Sequence, residues 1–348
     1  MFEQGVIRPP SEADSLLVRV TRNCPWNRCH ICPAYKGKKF SKRSVEKVKK
    51  DIDMMAETYP LPFTSAFLQD ADTLILPTGE LVEIIGHIRK RFPRIHRITT
   101  YARAKSMKRK GPEEYRWLKE AGLTRIHTGM ESGSARVLKL IQKGITPEDI
   151  LQGGMRVVES GISLSEYIMP GVGGRDLSRE HALETAKILN RVRPDFIRVR
   201  TLAIHPMSPI QKMVDEGTFQ PMNDEEVVEE IRLLLENLDE MPSHFRCGDF
   251  SLNLLMQVDG RLDTHKKAML EELDKYLALT RDQKRAYSLI QRSSPGMRPV
   301  GVVLDEEVTA RVLEDVKALE AREVDGFNKY IRRLMTYQLP QPQTDCWS

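Results

Sequence analysis

The chain has 348 residues, 40% hydrophobic and 30% charged, with 54 Lys and Arg against 49 Asp and Glu. That length and mix fit a globular chain with a sizeable core and exclude wholesale disorder or a fibrous array. A net charge of +5 is too mild to imply nucleic acid by itself, and no apolar run is long enough to span a membrane.

Residues 16–21 alternate as a strand, after which Val45, Val48, Ile52 and Met55 recur at helical spacing. Residues 66–68 predict a second strand, and Leu81, Val82, Ile85 and Ile88 share one helical face. A third strand over 97–102 is followed by a helix over 115–121 and a fourth strand over 125–130. Thr146-Pro147 pairs a capping residue with proline at the first helical position, and Gly161 stops that helix. Residues 163–169, 181–192 and 196–202 then read as strand, helix and strand. Six strand–helix alternations with short links predict an α/β fold over 1–210, its parallel sheet open or curled into part of a barrel. Beyond Pro209 the pattern turns helical. Asn223-Asp224-Glu225-Glu226 is a capping box opening a helix to about Asp239, and 266–291 and 306–335 have helical period. Residues 211–348 are therefore expected to form a helical C-terminal region.

The sharpest motif follows the first strand: Cys24-Pro-Trp-Asn-Arg-Cys29-His-Ile-Cys32. Three of the five cysteines fall within nine residues, and an odd, clustered count argues for metal or redox chemistry over a disulfide framework. Three thiolates on one short loop can grip one metal centre, and with no fourth cysteine nearby a coordination position stays open for chemistry. A zinc knuckle recruiting His30 or a distant ligand is an alternative, although no second two-ligand pair is visible. Chance grouping of free thiols is another.

On this cluster, the strand before it and the segments after it, residues 14–210 resemble the radical S-adenosylmethionine (SAM) superfamily. The likeness is to the group holding the oxygen-independent coproporphyrinogen oxidase, elongator-type and methylthiotransferase cores. The resemblance implies a partial (β/α)6 TIM-type barrel and a 4Fe-4S cluster on Cys24, Cys29 and Cys32. It also implies SAM on the open iron, cleaved to methionine and a 5′-deoxyadenosyl radical that abstracts hydrogen from a substrate. Two departures stand out: four residues, instead of three, separate the first two cysteines, and Ile31 replaces an aromatic residue, giving an adenine apolar contact but poorer stacking.

Later segments extend the resemblance. Phe67-Leu68-Gln69-Asp70-Ala71-Asp72 stands where relatives carry a Gly-Gly-Glu-like motif, so Asp70 or Asp72, helped by Gln69, is expected to receive the SAM ammonium. A polar strand end is the alternative. In Gly129-Met130-Glu131-Ser132-Gly133-Ser134, Glu131 and Ser132 match the positions that meet the sugar or amino-acid end of SAM, and Lys143 the one that meets its carboxylate. The glycine-rich stretch 170–174 either lets backbone approach a ligand or is a plain strand–helix link. Residues 202–209 resemble the strand end that lines the adenine pocket.

Alternation along the strands turns Arg19, His127, Arg198 and Arg200 inward, where a closed barrel would hold Val, Ile and Leu. With Tyr167 they are the substrate-cavity candidates, for an anionic or strongly hydrogen-bonding molecule; an internal salt-bridge network is the alternative. Residues 36–50 hold eight Lys or Arg against Glu46 alone, and 103–110 hold five more, either an RNA footprint or a solvated face beside a cofactor. Cys247 and Cys346 are too few for a second cubane, which argues against branches with auxiliary clusters. The 23 residues before Cys24 are too few for a cobalamin-binding domain. Glu3, Glu12 and Asp14 do not suit a signal peptide, so a cytoplasmic oxidoreductase is expected. Its expected partners are a flavodoxin- or ferredoxin-type reductant and a small-molecule substrate more than RNA, with no membrane. An RNA-modifying radical SAM enzyme and a non-catalytic Fe-S or haem-handling protein on the same fold are the alternatives.

Overall fold

A computed structural model describes residues 2–5, 7–59, 63–303 and 306–339. Cys346 lies outside the described residues. Strand β1 (Leu16–Arg19) is shorter than the alternating run suggested, because β2 (Thr21–Arg22) leaves to pair antiparallel with β3 (Ser41–Lys42) in a separate ribbon. Helix α1 (Val45–Thr58) starts at Ser44, whose hydroxyl accepts the Lys47 N–H at 3.4 Å. There follow β4 (Ser65–Gln69), α2 (Thr78–Arg91), β5 (Arg97–Tyr101), α3 (Ala104–Arg109), α4 (Pro112–Ala121) and β6 (Leu123–Glu131). Next come α5 (Ala135–Leu140), α6 (Pro147–Glu159), β7 (Ser163–Ile168), α7 (Gly174–Val192) and β8 (Phe196–Val199).

Strands β1, β4, β5, β6, β7 and β8 lie side by side in that order, each parallel to its neighbour. Parallel neighbours need crossovers, and the intervening helices supply them. This is the partial (β/α)6 barrel expected from the sequence. Leu16 and Val18 of β1, Leu68 of β4, Ile126 of β6 and Leu164 of β7 belong to one continuous core with Val48, Ile52 and Met55 of α1 and Leu81, Ile85 and Ile88 of α2. Each such side chain, fully buried, contributes about 1.5–3 kcal/mol.

Past residue 210 the chain is not only helical. Helices α8 (Pro209–Asp215) and α9 (Asp224–Glu236) come first, α9 closed by the reciprocal Asn223–Glu226 cap. Then β9 (His244–Arg246) joins the sheet parallel to β8, and β10 (Asp259–Arg261) ends it antiparallel to β9. Three-residue strands are too short to show an alternation, so the helical period around them hid both. The 266–291 run is two helices, α10 (Leu262–Leu277) and α11 (Arg281–Ser293), parted where Thr280 and Gln283 cap each other. After α12 (Val300–Val303), the 306–335 run likewise divides into α13 (Glu306–Arg322) and α14 (Gly326–Tyr337), with Asp325 left-handed between them. A second apolar cluster, including Leu289, Phe327 and Ile331, seats these helices against Ala203 and Leu252. Among the described residues no helix is long and apolar enough to cross a membrane.

The segment before β1 fills part of the barrel interior. Fully buried Glu12 accepts from Arg97 at 2.7 Å and from the Ser15 hydroxyl at 2.6 Å, and lies 3.3 Å from His127 Nε2. Burial pushes the His127 pKa down to about 4 despite Glu12, so the ring is neutral at pH 7. The unfolded chain binds that proton below its ordinary value of about 6.5, whereas the folded chain binds it only below about 4, so stability falls as pH drops between those values. The loss from this residue is expected to approach about 3 kcal/mol. Denaturant midpoints from pH 7 to 4 should show it, with a shallower decline for His127→Gln; identical declines would remove His127 as the cause.

Candidate active site

The parallel strands end together on one side of the sheet, the side on which such folds place their sites. A cavity of about 360 Å³ opens there, lined from the ends of β5, β6, β7 and β8, from the loop after β2, and from Phe250 and Leu339 beyond the barrel. Cys24, Cys29 and Cys32 all line it.

The cysteine loop is fixed at several points. Asn23 and Asn27 take left-handed backbone conformations that turn it. The Asn27 side chain donates to the carbonyls of Tyr35 at 2.5 Å and Lys38 at 3.1 Å, and Asn23 donates to Lys39 at 2.7 Å. The Trp26 indole donates to the Gln142 carbonyl at 2.7 Å, and its ring lies where a Cβ at Gly144 would stand. The His30 N–H bonds Ile141 at 2.8 Å, tying the loop to α5, while its carbonyl receives Ile210 at 3.1 Å. The three thiols are free and half-buried, and burial pushes those of Cys29 and Cys32 up. Among the described residues no three His, Cys, Asp or Glu side chains converge as a single ion requires. A cubane makes a different demand, since each thiolate holds its own iron corner.

Of the carboxylates expected beside SAM, Asp70 and Asp72 face inward on protein partners. Asp70 is fully buried; it accepts from Arg19 at 2.9 and 3.1 Å, from the Asn23 N–H at 3.1 Å and from the Tyr35 hydroxyl at 3.3 Å. It braces the root of the cysteine loop. Asp72 accepts from the Arg103 N–H at 3.2 Å and the Ser106 hydroxyl at 2.6 Å, which caps α3 from a neighbouring segment. Burial lifts its pKa to about 6. Gln69 holds the N-terminal segment instead, accepting from the Gly5 N–H at 2.9 Å and donating to the Ile7 carbonyl at 3.4 Å.

Glu131 and Lys143 do reach the cavity, paired at 2.6 Å. Burial opposes the Lys143 charge, but Glu131 and Cys29 outweigh it and raise its pKa. Glu131 is left-handed at φ 62°, and the turn after it is anchored outside the cavity. The Ser132 hydroxyl lies 2.8 Å from His181 Nδ1 on α7, and the Gly133 N–H donates to Thr185 at 2.9 Å. Ser132 therefore anchors the turn from outside, away from any ligand in the cavity. Opposite His181, Glu230 of α9 accepts the Gly171 N–H at 2.7 Å, so one buried chain of polar groups secures the turns after β6 and β7.

The five substrate-cavity candidates divide. Tyr167 and Arg200 line the cavity. Arg19 is spent on Asp70, His127 on Glu12, and Arg198 on Asp249 and, at 2.9 Å, the Ser165 hydroxyl. For those three the internal network prevails, because a buried arginine charge is stable only when paired and the buried, neutral His127 ring finds its polar partner in Glu12. Sequence reasoning missed Tyr35, Tyr101, Arg103 and Phe250 on the cavity wall. Tyr101 was reachable, since Arg97, Thr99 and Tyr101 share the inward parity of β5. Phe250 carries no such signal, lying on a loop between two three-residue strands.

Residues 18–187, just under half of the chain, match the radical SAM superfamily. The chain therefore carries a radical SAM domain, the domain of radical SAM enzymes, whose cofactors are a 4Fe-4S cluster and SAM. The donor set fits them: three free thiols stand on one braced loop, and a carboxylate–ammonium pair faces the same cavity. Cys247 is buried in the apolar core. The chain is 24% identical over 120 residues to a tRNA uridine(34) acetyltransferase from Methanocaldococcus jannaschii, covering 34% of this chain and 22% of that one. It is 26% identical over 193 residues to an uncharacterized methyltransferase from Pyrococcus horikoshii, covering 55% and 40% respectively. The chain thus spans well under half the length of these relatives. Among solved structures, the cobalamin-dependent SAM radical enzyme OxsB superposes with a TM-score of 0.49 at 15% identity, covering 94% of this chain and 59% of that one.

Proposed function

We propose that this cavity is where a SAM-derived radical takes a hydrogen atom from a small anionic or polar molecule. The observation that carries the reading is the convergence of Cys24, Cys29, Cys32, Glu131, Lys143 and Arg200 on one pocket at the strand ends. A 4Fe-4S cluster held by Cys24, Cys29 and Cys32 would, once reduced, supply the one electron needed to cleave SAM to methionine, with 5′-deoxyadenosine released after hydrogen is taken from the substrate.

The protein's own part is to bind, orient and shield. The three thiolates hold the cluster. Glu131 would accept hydrogen bonds from the SAM ammonium and Lys143 would meet its carboxylate; their pairing at 2.6 Å holds both side chains in the cavity. Apolar Ile31, Met169 and Leu202 keep water from the reacting carbon. A flavodoxin- or ferredoxin-type protein delivers the electron, in a cytoplasmic setting. Glu131→Gln is expected to keep the cluster while raising the KM for SAM about 10-fold or more, the size of one charge-assisted bond. An unchanged KM in 5′-deoxyadenosine assays would take Glu131 out of the SAM site.

RNA is the second reading, favoured by the tRNA acetyltransferase relative and the basic stretches. Part of that charge is paired with carboxylates of the chain itself. Arg43 is buried on Asp51 and Glu3, Lys49 pairs with Glu83, Lys108 with Asp149, and Lys110 with Glu114. A small molecule suits the enclosed cavity better.

A further inference from the structure

Four cations line the cavity, and they are not equally engaged. Lys143 is paired with Glu131. Arg103 donates to the Lys143 and Gly144 carbonyls at 3.2 and 3.5 Å and lies against Trp26. Arg8 is exposed on the N-terminal segment. Arg200 is half-buried, and among the described residues no carboxylate pairs with it, although Arg198, two residues earlier, has Asp249. Beside it stands a second unanswered group: the Tyr167 hydroxyl, on a residue only 7% exposed, has no hydrogen-bond partner among the described residues. A guanidinium and a phenol hydroxyl left unpaired on one cavity wall are the donors an oxyanion needs.

Two further aromatic rings, Phe250 and Tyr101, line the same cavity. Phe250 lies 6.0 Å from the Tyr167 ring, centre to centre, and 5.9 Å from the Arg200 guanidinium. Tyr101 packs on Phe67 at 5.2 Å and on His127 at 6.0 Å, so its ring is held in place. One cationic charge matched by one neutral hydroxyl balances a monoanion; a phosphate dianion would keep a charge uncompensated.

We propose that Arg200 and Tyr167 form the substrate's anion subsite, and that the substrate is a small carboxylic acid whose planar, apolar body rests on Tyr101, Tyr167 and Phe250. This rests on the reading of the cavity as a radical SAM site, and SAM brings a carboxylate of its own, so the test must separate the two.

The anoxically reconstituted protein would be titrated calorimetrically with 3-phenylpropionate, its isosteric amide and phenyl phosphate, each with and without saturating SAM. The acid is expected to bind about 10-fold or more tighter than the amide, with SAM leaving its affinity unchanged. In Arg200→Gln, checked for folding by thermal melting alongside Arg200→Lys, acid and amide should bind alike. Equal binding of acid and amide to the unaltered protein, or no saturable binding of any probe, overturns the proposal. Tighter binding of phenyl phosphate replaces the carboxylate with a phosphate ester and overturns it as stated. Strict competition between the acid and SAM assigns Arg200 to SAM and also overturns it. Arg200-dependent acid binding in a protein whose cluster spectrum ignores SAM leaves the subsite standing and removes the radical SAM reading instead.

Discussion

Replacing any one of Cys24, Cys29 or Cys32 with alanine is expected to abolish stable cluster binding and 5′-deoxyadenosine formation together. Each thiolate holds a separate iron corner, so the two that remain cannot compensate. The loss should exceed the about 10–100-fold cost of disturbing a group that merely orients a ligand. The loop itself should survive, because its shape is set by Asn23, Asn27, Trp26 and the His30 backbone, not by sulfur. Iron and acid-labile sulfide should fall while the thermal melt of the apoprotein stays put. Cys247→Ala, in the core away from the cavity, should keep its cluster. A triad variant that retained its iron would break the ligand assignment.

The largest stability effect is expected at Arg198. It is 1% exposed and tied to Asp249 and Ser165, so Arg198→Ala empties a buried site and leaves the half-buried Asp249 only Arg246, at 3.7 Å; it should cost about 3 kcal/mol in denaturant unfolding. Because Asp249 adjoins Phe250, the cavity wall should loosen with it. Arg200→Ala, lacking such a partner, should cost less than about 1 kcal/mol and act on substrate affinity instead. The two arginines stand two residues apart, Arg198 in β8 and Arg200 just past its end, and their roles are expected to separate cleanly in a comparison of unfolding midpoints with ligand affinities. Equal destabilisation by both would contradict the distinction.

That pair also marks the limit of what a sequence discloses. Periodicity located every strand and most helices of the barrel because each strand buries one face and each helix one stripe, and those constraints act on neighbouring residues. The cysteine triad was equally legible, since its chemistry is written in nine consecutive positions. Parity along a strand says that Arg19, His127, Arg198 and Arg200 point inward, but not which of them meets an acid. Those acids come from far away in the chain: Glu12 from a turn before β1, Asp70 from the end of β4 and Asp249 from a loop beyond β9. The same distance hid Phe250 and the two short strands that extend the sheet. Asp70 and Asp72 illustrate the converse, standing at a strand end beside the cavity while the protein's own donors use their carboxylates.

The central claim is that three sulfurs of the chain hold a cubane whose fourth iron is left for SAM. Electron paramagnetic resonance of the anoxically reconstituted, reduced protein, recorded before and after SAM is added, tests it most directly. The account predicts a 4Fe-4S signal that changes when SAM binds and that disappears in the Cys29→Ala protein. A signal indifferent to SAM, or a preparation that takes up zinc in place of a cluster, would contradict it.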